Sequence, residues 1–130
     1  MAARLFTPLG LDHIVLYVRD QARSRQFYTE LLGCTVDAVN EKASIIHLRF
    51  GEQQIDIVPG NGPAADERRQ GIDHFCLSID CRDLPALAAQ LRAQGVALEG
   101  EIVTRLGAYG TGPSLYLHDP DGYKVELKPR

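Results

Sequence analysis

The 130-residue sequence contains no stretch of about eighteen consecutive apolar residues, the length that a membrane-crossing helix needs. Its opening, Met1-Ala2-Ala3-Arg4-Leu5-Phe6-Thr7-Pro8, lacks an apolar core of about 7–15 residues followed by a small-residue cleavage site. Neither membrane insertion nor secretion is expected, and the cytoplasm is the expected compartment. Cysteine is scarce. Cys34, Cys76 and Cys81 are odd in number and show no CxxC spacing, which predicts free thiols in a reducing compartment and argues against a disulfide scaffold or a zinc ribbon. Cys76, two residues from His74 on the same strand face, reads either as lining a site or, the favoured reading, as a buried structural thiol. There is no basic excess either: 14 Lys and Arg stand against 17 Asp and Glu, scattered along the chain, so the electrostatic footprint of a nucleic-acid surface is missing. No P-loop or GxGxxG pattern is present, which leaves a phosphate cradle unsupported.

What the chain does contain is a copy of itself. Gly10-Leu11-Asp12-His13-Ile14-Val15-Leu16-Tyr17-Val18 returns as Gly71-Ile72-Asp73-His74-Phe75-Cys76-Leu77-Ser78-Ile79, with the histidines 61 residues apart. A repeat near half the chain length means two copies of one supersecondary unit, each too small to bury its apolar face alone. Residues 11–18 and 72–79 alternate as strands, with each His opposite the aliphatic face. Asp20 caps a helix running to about Leu32 and stopped by Gly33; Asp83 caps a second that ends near Gly95. Strands follow near 34–39, 44–50 and 53–58, then near 97–104, 114–118 and 123–128, with tight turns at Gly51 and at Asp119-Pro120-Asp121-Gly122. The order is βαβββ twice. This predicts one domain over 1–130, with module one at about 9–60, a linker at about 61–70 and module two at about 71–128. The Gly-rich stretch 105–113 reads either as a flap or as a long hairpin loop without function.

The duplication extends to the last strand of each copy, where it sets Asp56 against Glu126. Each copy thus carries one His on its first strand and one carboxylate on its last, the latter alternating away from aliphatic neighbours. Taken singly, such residues belong to scaffold or to a solvated sheet face. As two equivalent pairs, His13 with Asp56 and His74 with Glu126 form a set of imidazole and carboxylate donors suited to one divalent ion, Ni, Zn, Co, Mn or Fe(II). Arg49 reads equally as a surface residue or as a clamp for a substrate carboxylate, and Tyr116 is a second substrate-binding candidate. His47 and His118 have no counterpart in the repeat and read as structural or surface residues.

These residues, with the ending Leu117-His118-Asp119-Pro120-Asp121-Gly122-Tyr123-Lys124-Val125-Glu126-Leu127, resemble the vicinal oxygen chelate superfamily, the glyoxalase, bleomycin-resistance and extradiol dioxygenase group, over about residues 9–128. The resemblance implies an α+β fold: two tandem βαβββ modules forming an open, cup-shaped eight-stranded mixed sheet with helices on the outer face. It implies a metal held in the cup by His13, His74 and Glu126, with Asp56 where glyoxalase I enzymes have Glu or Gln. It further implies a glyoxalase-like enzyme performing lyase or isomerase chemistry on a small molecule with vicinal oxygens, with Glu126 moving the proton, and a homodimer. If Asp56 stays off the metal, the remaining set is a 2-His-1-carboxylate triad and the alternative is an extradiol-dioxygenase-like Fe(II) enzyme. Such an enzyme would need an extra acid or base near the metal, for which His47 or His118 could be tested. Further alternatives are a thiol transferase and a non-catalytic drug-binding module. Glutathione-binding glyoxalases carry Asn four residues after the Asp56 position, where this chain has Gly60, which speaks against glutathione as cosubstrate.

Overall fold

The computed structural model describes residues 9–11, 13–60, 72 and 74–130. The opening octapeptide and the linker at 61–70 lie outside the described residues. The elements run β1 (His13–Val18), a helix α1 (Gln21–Gln26) that continues as one π-helical turn over Phe27–Leu31, β2 (Thr35–Asn40), β3 (Ile45–Phe50), β4 (Gln53–Pro59), β5 (Phe75–Ile79), α2 (Leu84–Ala93), β6 (Ala97–Gly107), β7 (Gly110–His118) and β8 (Lys124–Pro129). The predicted caps are in place: Asp20 accepts from the Arg23 amide at 3.1 Å and Asp83 from the Ala86 amide at 2.9 Å. The first helix widens at its end because Phe27 and Tyr28, adjacent in sequence, are both buried, their rings edge to face with centroids 5.2 Å apart.

Among the described residues the eight strands are arranged as two open four-stranded mixed sheets, ordered β1-β4-β3-β2 and β5-β8-β7-β6. In each, the first strand pairs parallel with the last and the other pairings are antiparallel. The registers confirm the duplication. Ile14, just after the first His, pairs with Ile55, just before Asp56; Phe75, just after the second His, pairs with Val125, just before Glu126. The aliphatic faces of both sheets, together with Leu84, Ala88 and Leu91 of α2 and the Phe27-Tyr28 turn, form one buried cluster. The other face of each sheet, bearing the His and carboxylate positions, is left for the site. No helix among the described residues is long and apolar enough to cross a membrane.

Two expectations need correction. The stretch 105–113 is no loop: β6 and β7 run on through it, with Gly107 paired to Gly110 around the tight turn Ala108-Tyr109. Three glycines in nine residues read as a flap or a long loop, yet the two strands pair as far as Gly107 and Gly110, the latter at φ +108° where the turn closes. The second copy of the first strand starts at Phe75, so His74 sits just ahead of its strand.

The two halves are joined through polar groups as well as through the core. The turn after β7 docks on α1. Asp121 Oδ1 accepts from the amide and Nε of Arg19 at 2.8 and 3.1 Å, and Asp121 Oδ2 from Ser24 Oγ at 3.1 Å. Asp119 Oδ2 accepts from the Tyr28 hydroxyl at 2.8 Å, while its Oδ1 takes the amides of Asp121 and Tyr123, both at 2.9 Å. Burial pushes the Asp119 carboxyl above its ordinary value, against the pull of those three donors. Stability held by this group is therefore fully present below the ordinary carboxyl range and is lost as pH rises through the raised value. Tyr28→Phe removes one of the donors that make the buried charge tolerable. It is expected to cost about 1–3 kcal/mol in urea unfolding at neutral pH and less in acid, where the carboxyl is protonated; an equal cost at both pH values contradicts this account.

Candidate active site

In the second half, β5, β8 and β7 bring their polar faces together at Glu126, which is opposite Cys76 on one side and Tyr116 on the other. His74 Nε2 lies 3.1 Å from Glu126 Oε1, and Ser114 Oγ donates to Glu126 Oε2 at 2.6 Å. Burial pushes the Glu126 carboxyl up, but Ser114, Tyr116 and His74 outweigh it and hold the group below the usual carboxylate range. An ionised Glu126 can only accept, so His74 Nε2 carries the hydrogen of this pair. The Tyr116 ring stands edge-on to His74, 5.5 Å between centroids, and Lys124 Nζ lies 4.7 Å from the Tyr116 centroid while also pairing with Glu99 at 2.7 Å. His118 faces the same Glu99 at 3.6 Å, the surface role expected of it.

A cavity of about 280 Å³ opens beside the pair, lined by His74, Cys76, Ser78, Glu126, Lys128 and the hairpin tip at 107–112. Cys76 is exposed on this wall, not buried as the sequence suggested, because β5 is an edge strand and its polar face has no layer over it. The protein around its thiol, and next the Glu126 charge, push its pKa up to about 11.

The first half holds a different pair. Asp56, buried, shares a 2.8 Å hydrogen bond between its Oδ1 and Nδ1 of His47, which lies directly opposite it on β3, and the same oxygen accepts from Gln54 Nε2 at 2.8 Å. His47 occupies the place that Tyr116 takes in the second half. It was missed because it has no partner in the repeat. The two-residue turn at Gly51-Glu52 was the available signal, since a hairpin closed there brings residue 47 opposite residue 56. His13 is exposed on the same sheet face as Asp56, and Arg49 donates to Asp37 Oδ2 at 2.8 Å and to the Glu52 carbonyl at 3.2 Å.

Among the described residues no three His, Cys, Asp or Glu side chains gather within ligating reach of one another. Each half offers one imidazole against one carboxylate. The donor chemistry of the combined set, neutral nitrogen with anionic oxygen, fits a divalent first-row cation. If the pairs are separate, Asp56→Ala and Glu126→Ala should change stability additively to within about 0.5 kcal/mol in chelator-treated protein; a coupling well above that would contradict the separation.

A family model described as Glyoxalase/Bleomycin resistance protein/Dioxygenase superfamily matches residues 10–127. The chain is 31% identical over 120 residues to virulence protein STM3117 of Salmonella typhimurium, covering 90% of this chain and 81% of that one. It is 28% identical over 129 residues to a lactoylglutathione lyase of the same organism, covering 92% and 91%. Against the lactoylglutathione lyase GLX1 of Arabidopsis thaliana it is 30% identical and spans 42% of that protein's length. Among solved structures, the integron cassette protein VCH_CASS1 from the mobile metagenome of V. cholerae superposes with a TM-score of 0.77 at 33% identity, covering 97% of this chain and 98% of that one.

Proposed function

The chain belongs to the glyoxalase/bleomycin resistance protein/dioxygenase superfamily, and from that premise we propose that it is a metal-dependent, glyoxalase-like enzyme performing lyase or isomerase chemistry on a small molecule with two adjacent oxygens. The observation that carries this reading is the imidazole-carboxylate contact of His74 and Glu126, placed where β5 and β8 pair in the register that β1 and β4 share beside His13 and Asp56. His13, His74 and Glu126 would hold a divalent ion, with Asp56 as fourth donor. Bound there, the ion supplies Lewis acidity to the substrate's paired oxygens.

The chain's own groups do the rest. Glu126, which lines the cavity, would take a proton from a carbon beside the substrate's paired oxygens and return it to the neighbouring carbon. Tyr116 fixes the His74 ring from the side. Arg49 would hold a substrate carboxylate only by giving up Asp37. Gly60 supports the expectation that glutathione is not bound as in glyoxalases with Asn there: a Cβ at this position would lie 2.6 Å from Tyr17 Cδ1, so a larger residue needs the ring to move. Three free cysteines support a reducing compartment, which we take to be the cytoplasm.

We also take the working form to be a homodimer. Leu11, Val15 and Tyr17 are exposed on or beside the edge strand β1, a surface that a second copy would cover. Donors from two chains would then complete each site.

Protein purified without chelator is expected to contain one equivalent of Ni, Co, Zn or Mn by elemental analysis and to lose most of it in His13→Ala and Glu126→Ala. Unchanged metal in both variants rejects these ligands. Turnover is expected without oxygen; oxygen uptake with catechols and Fe(II) would favour the dioxygenase reading instead.

A further inference from the structure

The Gly-rich stretch of the sequence meets Lys128, a residue that the reading above does not use. Lys128 lies two residues beyond Glu126 on the same face of β8 and is only 8% exposed. Its Nζ donates to the main-chain oxygens of Arg105 at 2.6 Å and Gly112 at 2.9 Å, and to Ser114 Oγ at 3.4 Å. A buried ammonium is tolerated only where acceptors replace water, and the β6-β7 hairpin supplies them. Glycine makes room for the stem: a Cβ at Gly107 would lie 2.8 Å from Lys128 Cε and 2.9 Å from Cδ. Because Nζ is anchored at its far end, those carbons cannot swing aside without breaking the anchor.

The direction of the next bond follows from the donor inventory. An ammonium only donates, so Ser114 Oγ accepts from Lys128, and the single hydroxyl proton is left for Glu126 Oε2, where the contact is 2.6 Å. Ser114 itself is fully buried. One carboxylate oxygen of Glu126 is thereby committed to the protein, and the other, Oε1, is the one beside His74.

We propose that Ser114 and Lys128 are positioning residues that hold Glu126 in a one-handed geometry, with Oε1 alone presented to cation and substrate, and that the Gly-rich hairpin is the seat of this relay. The proposal rests on Glu126 as the cation-holding, proton-moving group. Outer partners of this kind typically change metal affinity about 10- to 100-fold when removed.

The test is Co(II) titration of chelator-treated full-length protein, followed by visible absorption, for wild type, Ser114→Ala, Lys128→Met, Gly107→Ala and Glu126→Ala, with urea midpoints to establish folding. Ser114→Ala, Lys128→Met and Gly107→Ala are each expected to weaken Co(II) about 10- to 100-fold and to shift the d–d bands as Glu126 becomes free to bind through both oxygens. Gly107→Ala crowds Lys128 Cε and Cδ without removing the ammonium and decides the matter if Lys128→Met does not fold. Wild-type affinity and spectrum in these variants, with Co(II) lost in Glu126→Ala, overturns the relay and leaves the ligand assignment standing. Wild-type binding in Glu126→Ala removes the ligand assignment and the relay with it.

Discussion

In each half the first strand lies parallel to the last, and this pairing governs where the chemistry goes. A parallel pair cannot be closed by a short turn, so the chain must cross through a helix and two further strands before returning beside its start. The return places a carboxylate one step diagonally from the position of the histidine, with the intervening residues turned to the core. Every later feature follows from that diagonal: the aliphatic cluster on one face, the imidazole and acid on the other, and the cavity beside Glu126.

The join between the halves uses a different physical device. The turn after β7 carries two aspartates that are almost fully buried; the first helix of the other half supplies the hydroxyls that satisfy them, and Arg19, just ahead of that helix, supplies the guanidinium. Apolar burial alone would allow the halves to slide. Buried carboxylates with matched donors do not, since any shift leaves a charge without its partner at a cost larger than the hydrogen bond itself. All buried side-chain nitrogen and oxygen atoms among the described residues have partners. The helix therefore sits where the second half needs it.

Much of this was legible from residues alone. The repeated His segment, the Asp20 and Asp83 caps and the turns at Gly51 and Gly122 are local signals, and local signals survive folding because they act within a few residues. The site was legible in part. Symmetry pointed to Asp56 and Glu126 but hid His47, whose counterpart Tyr116 is a different residue type, and it gave no hint of Ser114 or Lys128. Those contacts depend on cross-strand neighbours, which composition does not encode. The glycines at 105–113 were misleading for a related reason: Gly107 makes room for a lysine stem from another strand, and Gly110, at φ +108°, closes a tight turn rather than a flexible loop.

In the proposed site the His13 and His74 imidazoles and the Glu126 carboxylate converge on one divalent cation. Anomalous diffraction at the metal edge, on crystals grown from protein loaded with Co(II) or Ni(II), tests it most directly. One strong peak is expected, bonded to His74 and Glu126 and completed by His13, with or without Asp56, from the same or a second chain. A peak held by other residues, or no peak beside Glu126 at full loading, would contradict it.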